Sequence, residues 1–296
     1  MATYAKSSTD FYQTITNQII QSLEAGIKPW VCPWDRTQAT GLPINASTHQ
    51  PYQGMNIMLL WMSAAERNFS SPYWLTFKQA KELGGKVRKG EKGTTIFFYT
   101  LVQKKEIESE KEEVYPMLKT YTVFNLDQID ELSLKQEERQ TPCHEIERLD
   151  DVEAFIDATQ AELIYGGQKA FFRPSADIVV IPDRARFHST ADLYATIMHE
   201  LTHWSGHKSR LDREMKEAFG TKDYAQEELV AELGSAFLMA TFGVMGEVQH
   251  ESYIASWLEA LKNDKRYIFK AAAQASKAHQ YLLSFCHDIT VDAEHA

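Results

Sequence analysis

Cysteine is scarce in this chain. Cys32, Cys143 and Cys286 stand far apart with no C-x-x-C spacing. That excludes a disulfide frame and a cysteine zinc knuckle, and it suits free thiols in a reducing compartment. Long apolar runs are missing as well: none approaches the roughly 20 residues that span a bilayer, so no membrane partner is expected. Met1 to Asp10 holds no apolar signal core, and the expected location is the cytoplasm. There is no phosphate-binding G-x-x-x-x-G-K-[ST] motif, internal repeat or low-complexity tract. No zinc-finger, RRM or recognition-helix pattern is present, so base-specific reading of duplex DNA is not expected.

What is present is the composition of a packed protein, 44% apolar and 11% aromatic over 296 residues, enough for one large domain or two ordinary ones. The net charge of −10 is unevenly spread. Residues 1–126 carry 14 basic and 11 acidic side chains and the remainder 17 and 30. A mildly basic half joined to an acidic half suggests two surfaces with different partners.

Periodicity gives an α+β chain. Phe11, Ile15, Ile19 and Leu23 recur at helical spacing behind Ser8, Thr9 and Asp10, and Gly26 and Pro29 end the helix. Further helices are expected at 56–67 and 76–83. Strands are expected at 94–102 and 118–125, with the charged run 104–113 as the loop between them. Polar residues dominate 127–147, which reads as a linker. The expected division is therefore residues 1–126, a 127–147 linker and a helix-rich unit at 148–296. The second unit starts with a helix at 152–160 and short strands at 170–173 and 178–181.

The sharpest motif is His199-Glu200-Leu201-Thr202-His203, H-E-x-x-H inside a helical stretch that starts at Ser189 and Asp192 and stops at Gly206. His199 and His203 lie one turn apart on one face, where two imidazoles reach one metal ion. Glu200 is adjacent to the first ligand and is placed to act as general base on a water activated by the metal. The third ligand is sought in the helix Tyr224–Gly234, which carries Glu227, Glu228 and Glu232. Thermolysin-like enzymes use a His₂Glu set with the glutamate on a following helix. Glu228 is assigned as ligand and Glu232, one turn on, as the carboxylate that orients a ligand histidine, with the reverse left open. The expected ion is zinc, with manganese or another divalent ion as alternatives. His207 lies beyond the helix-breaking Gly206. Ser209 occupies the position where metzincins place their third histidine, so that reading fails. Tyr224, His188 and Arg210 are near the motif in the chain, but no oxyanion donor follows from sequence.

The first half carries a basic cluster, Lys78, Lys81, Lys86, Arg88, Lys89 and Lys92, amid aromatics that include Trp30, Trp34, Trp61, Trp74, Phe77, Phe97 and Phe98. Single-strand binders combine cationic tracks with exposed rings. Trp74, Lys78, Lys86, Arg88, Lys89 and Lys92 are the expected DNA contacts, Trp74 as stacking ring. The glycines of the 84–93 loop would admit close approach of a phosphodiester.

Longer motifs carry a resemblance. Pro29-Trp30 with Pro33-Trp34, Tyr52-Gln-Gly54-Met-Asn56, Tyr73-Trp-Leu-Thr-Phe-Lys-Gln-Ala80 and Gly84-Gly-Lys-Val-Arg-Lys-Gly-Glu91 supply its first half. Ile181-Pro-Asp-Arg184, His199 through Gly206, Arg210-Leu-Asp-Arg213 and Tyr224 through Gly234 supply its second. With these the chain resembles, over nearly its whole length, the ArdC-type antirestriction proteins of conjugative plasmids. The resemblance implies an amino-terminal single-stranded-DNA-binding domain and a carboxy-terminal zincin-like metallopeptidase domain. It also implies protection of incoming DNA from host restriction, with a DNA-bound protein or a restriction enzyme as target. The rival reading is a non-catalytic protein that coats DNA or occupies a restriction enzyme and uses its metal as a structural clip.

Overall fold

Alternating β-branched and aromatic residues build the longest hairpin. β4 (Thr94–Lys105) pairs antiparallel with β5 (Glu112–Asn125), from Thr94 opposite Val123 to Lys105 opposite Glu112. Both strands outrun their expected ends, with Lys104 and Lys105 in register with Glu113 and Glu112. The computed structural model describes residues 10–30, 41–105, 112–132, 149–213, 222–244 and 253–293. Cys32, Trp34, Cys143 and the 133–147 part of the expected linker lie outside them.

β2 (Tyr73–Thr76) joins β5 antiparallel and β1 (Ile44–Asn45) joins β2 in parallel, giving the order β1-β2-β5-β4. α2 (Met55–Arg67) supplies Leu60 and Ala64 to a cluster with Tyr52, Phe69, Trp74, Ile96 and Val123. α3 (Phe77–Glu82) starts on a capping box between Thr76 and Gln79. β3 (Lys86–Val87) pairs with β6 (Ile129–Asp130). Residues 33–139 form one compact unit.

The second compact unit joins residues 1–32 to 140–296. Its sheet has the order β7-β9-β8, from β7 (Glu162–Tyr165), β8 (Phe171–Arg173) and β9 (Ile178–Ile181). Around it lie α4 (Asp150–Ala158), α5 (Thr190–Ser205), α6 (Lys222–Phe242), α7 (Ile254–Asn263) and α8 (Tyr267–Ala293). Val152, Phe155, Val179, Ile181, Leu193, Ile197, Leu201 and Leu282 fill one core among them. α1 (Phe11–Glu24), capped by Asp10, belongs here too. Thr16 donates to the Lys265 carbonyl at 2.9 Å, Lys262 pairs with Glu24 at 2.7 Å, and Lys265 pairs with Asp10.

The structure thus draws the division elsewhere than at 126. Leu126 to Asp130 remain in the first fold because Gln128 and Ile129 are buried and Ile129 pairs with Val87. The charge contrast fades along these units, since residues 33–139 carry 14 basic and 14 acidic side chains. Among the described residues no helix is long and apolar enough to cross a membrane.

Candidate metal centre

α5 is built to hold its motif rigidly. Ser189 caps it by accepting from the Asp192 amide at 3.1 Å, no glycine or proline interrupts it, and Leu193, Ile197, Met198 and Leu201 are fully buried. His199 and His203 therefore project one turn apart from an anchored rod. α6 is apolar on most sides, so Glu227, Glu228 and Glu232 are carried into the interior with it. The helices meet at Gly234, where a Cβ would sit 2.5 Å from Thr202 Cγ2. A glycine there lets the α6 backbone close on α5 and brings its carboxylates to the histidines.

The result is a three-donor cluster. His203 Nε2 lies 3.2 Å from His199 Nε2, and Glu228 reaches both rings, at 3.5 Å from His199 Nε2 and 3.6 Å from His203 Nε2. One donor atom from each residue falls within 4.8 Å of the others. Glu200 is buried beside them. Four carboxylates, Glu200, Glu227, Glu228 and Glu232, gather around two imidazoles at low exposure. Buried negative charge of that density calls for a cation, and nitrogen with carboxylate oxygen is a donor set that fits a divalent ion.

The electrostatics show the same strain for a cation. Burial works against a charged His203, but Glu227, Glu228 and Glu200 outweigh it and hold the ring up at about 9. Burial would raise Glu228, yet His199 and His203 pull it down to about 2. Burial also opposes ionisation of Glu227, which His203 and Arg213 nevertheless keep below the usual carboxylate range.

Behind the donors stands a supporting layer. Glu227 Oε1 lies 3.2 Å from His203 Nδ1, and Arg213 grips the same carboxylate at 2.8 and 3.1 Å. Arg213 also donates to Ser205 Oγ at 3.0 Å and to the Thr202 carbonyl. Its guanidinium rests where a Cβ of residue 206 would be, 2.6 Å away, so Gly206 clears room for this clamp as well as ending the helix. Glu232 Oε2 lies 3.9 Å from His199 Nδ1. Its other oxygen accepts from Trp30 Nε1 at 3.4 Å and faces Lys28 Nζ at 3.8 Å. Glu228 thus faces both histidines while Glu232 stands behind one of them.

Sequence reasoning weighed Glu227 only as a candidate ligand and missed its role between Arg213 and His203, and it missed Lys28 with Trp30 beside Glu232. An acid adjacent to a ligand on a helix, with an arginine shortly before it, is a signal that could have found the first pair. Trp30 was counted among aromatics of a DNA platform; it is 1% exposed and packs edge-on against Trp257 at 5.5 Å. Of the three neighbours weighed as oxyanion donors, Arg210 is committed to Asp177, the Trp204 carbonyl and the Trp204 ring. His188 is exposed. Tyr224 alone is tied to the cluster, its hydroxyl 3.2 Å from that of Tyr253 and interacting with Glu228.

The expected DNA contacts fare unevenly. Trp74 cannot be a stacking ring as it stands: it is 1% exposed, inside the core beneath α2 and edge-on to Phe69. Lys86 pairs with Glu131 at 2.8 Å, Arg88 with Glu91 and Asp130 at 2.9 and 3.3 Å, and Lys78 with Glu82 at 3.6 Å. Lys89 and Lys92 make no ion pair among the described residues. Gly85 and Gly93 of this loop are filled against their own fold, by Ile129 and Thr122, and not held open for a phosphate.

Known proteins carry the same parts. Residues 9–124 match the family model for the N-terminal domain of anti-restriction factor ArdC, and residues 150–274 match that for zincin-like metallopeptidase. Among curated proteins the chain is 35% identical over 294 residues to a DNA primase TraC of Escherichia coli, which it covers for only 20% of that protein's length. It is 35% identical over 287 residues to protein y4eC of Sinorhizobium fredii (strain NBRC 101917 / NGR234), spanning 94% of this chain and 92% of that one. The metal-free crystal structure of antirestriction protein ArdC from plasmid R388 superposes with a TM-score of 0.83 at 41% identity, over 95% of this chain and 99% of that one. The Mn(II)-bound structure of the same protein gives 0.78 at 42%, over 94% and 98%. A metal-holding relative of matching length, both domain matches and the convergent His-His-Glu cluster agree, and the chain belongs to the ArdC family of antirestriction proteins.

Proposed function

We propose that this protein binds single-stranded DNA through residues 33–139 and acts through a metal-dependent, peptidase-like centre on α5 and α6, in the cytoplasm where incoming DNA meets restriction. The observation that carries the reading is the convergence of His199, His203 and Glu228 with Glu200 next to them on the same helix. These three residues would hold zinc, or manganese as in the R388 relative. When bound, the ion supplies Lewis acidity toward a carbonyl and a water. Glu200 then takes the water's proton on its carboxylate and hands it to the leaving amine. The Tyr224 hydroxyl is the side-chain donor on hand for the carbonyl oxygen, with burial and Tyr253 keeping it protonated. Glu227, clamped by Arg213, and Glu232, clamped by Lys28 and Trp30, fix the two rings.

The target is a peptide bond in a protein on the DNA. Lys78, Lys86, Arg88, Lys89 and Lys92 serve phosphates, with Lys89 and Lys92 the least committed elsewhere. A DNA partner also suits the name of the TraC primases, although the chain spans only 20% and 28% of two of them.

The burial of the donors, with His199 3% exposed, favours a second reading in which the metal clips α5 to α6 and the protein works by coating DNA or occupying a restriction enzyme. Glu200→Gln separates the two. The variant should keep its metal and its DNA binding while losing cleavage of DNA-bound protein and protection of incoming DNA. Undiminished protection would rule catalysis out as the mode of action.

A further inference from the structure

The sheet of residues 33–139 has one face only partly covered. Residues paired across antiparallel strands share a face, so Phe98 stands with Lys119, Ile96 with Tyr121, and Thr76 with Val123. α2 and Tyr52 cover the Ile96 and Val123 end of that face. Beyond it Phe98 and Tyr121 remain 48% and 44% exposed, edge to face at 5.7 Å. A cavity of about 250 Å³ opens there, walled by Phe98, Tyr121 and Tyr52 and by the polar side chains of Asn45, Thr76 and Gln79. It is smaller than the roughly 300–1,000 Å³ of sites for drug-sized ligands, so it has room for a single ring system.

We infer that this cavity is a nucleobase pocket, taking one unstacked base of a single strand. The inference rests on the single-strand reading above and names the place where a base is held. Large exposed rings in a sheet are normally covered, and stacking on a base is a sequence-tolerant way to cover them. None of the described residues lining the cavity is charged, which suits a neutral base. Lys119, exposed and directly across from Phe98, stands at the rim for the phosphate.

The polar wall defines which edge of the base it meets. Asn45 Oδ1 is taken by the Ser47 and Thr48 amides at 3.0 and 3.1 Å, and Gln79 Oε1 by the Thr76 amide at 2.9 Å. What these amides have left to offer is N–H. Asn45 Nδ2 reaches Tyr52 Oη at 3.3 Å and Gln79 Oε1 at 3.4 Å, and Gln79 Nε2 reaches Asn45 Oδ1 at 3.5 Å. All three are long for N–H···O bonds and are cheaply exchanged. Two donor amides favour an edge of carbonyl oxygens over one with an amino group, thymine over adenine, whose N6 amino group would face them.

The test uses the full-length chain, fluorescence anisotropy with a short oligothymidylate and a short oligoadenylate, and the variants Phe98→Ala, Tyr121→Ala and Phe98→Trp. Oligothymidylate should bind tighter. Each alanine should weaken it by about 5- to 150-fold, with the slope of log affinity against log salt unchanged, and Phe98→Trp should retain binding. Thermal melts equal to that of the unmodified chain check folding, as both rings are exposed. Normal binding by the unmodified chain with undiminished binding by both alanine variants overturns the pocket and leaves the single-strand reading standing. Equal affinity for the two oligonucleotides overturns the donor-edge assignment. Failure of the unmodified chain to bind either one overturns the single-strand reading and the pocket together.

Discussion

A carboxylate held against the far ring nitrogen of a metal-binding imidazole governs how firmly the near nitrogen is aimed. Glu227 and Arg213 form such a support for His203, and Glu232 lies behind His199 at the longer distance of 3.9 Å. Glu227→Gln, Arg213→Met and Glu232→Gln should each weaken metal affinity by about 10–100-fold, measured by competition against a chromogenic chelator. Glu228→Ala should abolish detectable binding; a reversed order for Glu228 and Glu232 would exchange their roles. A second residue-scale prediction lies away from the metal. His279 is buried against Phe237, bonded to Thr241 Oγ1 at 2.8 Å, and burial pushes its imidazole down to about 4. An unfolded histidine titrates near 6.5. Above that pH both states are neutral at this site and stability is complete. As pH falls from about 6.5 to 4 the unfolded chain takes the proton first, and stability drops by up to about 3 kcal/mol. Urea midpoints across that window should show the loss, and His279→Gln should flatten it.

At the scale of elements, the contact between α5 and α6 is the hinge of the site. Gly234→Ala would drive a methyl into Thr202, costing about 1–3 kcal/mol of overpacking and moving Glu228 off the histidines. Thr202→Ala in the same chain should restore much of both stability and metal uptake, read as a coupling energy from thermal melts of the four proteins. The elements themselves were largely legible in the sequence. The β4–β5 hairpin, α2 and α5 follow from alternation, periodicity and caps, which act locally. The H-E-x-x-H motif was equally plain because both histidines sit on one helix. Less legible were β1, β2 and β7, although β8 and β9, no longer than β2 and β7, were expected. Trp74 and Trp30 misled because an aromatic residue carries no mark of whether the fold will cover it. The cavity beside Phe98 and Tyr121 depends on strand register, which only assembly reveals.

Across the whole molecule, the discontinuous unit changes what can be cut. Residues 148–296 alone lack α1, Lys28 and Trp30, so they lack a buried tryptophan and the partners of Glu232. A chain starting at residue 33 should therefore melt lower and bind metal more weakly than the intact protein. Trp30→Ala should reproduce most of the loss, about 3–5 kcal/mol for a buried aromatic, in thermal or urea unfolding. Residues 33–139 expressed alone should remain folded and keep their DNA binding. The family match over residues 9–124 runs across this boundary, so lineage and compactness divide the chain differently.

The distance in sequence between α1 and its partners also sets a timetable. Thr16 and the Lys265 carbonyl it donates to are 249 residues apart. A ribosome adding about 5–20 residues per second takes tens of seconds to bridge that gap, with Ile15, Ile19 and Leu23 waiting uncovered. Residues 33–139 are complete long before. On the proposed reading, a growing chain would hold a strand before its metal centre is fully packed, because α7 and α8 are added after α5 and α6. Chains stalled short of α7 should already capture single-stranded DNA while binding metal more weakly than the full-length chain.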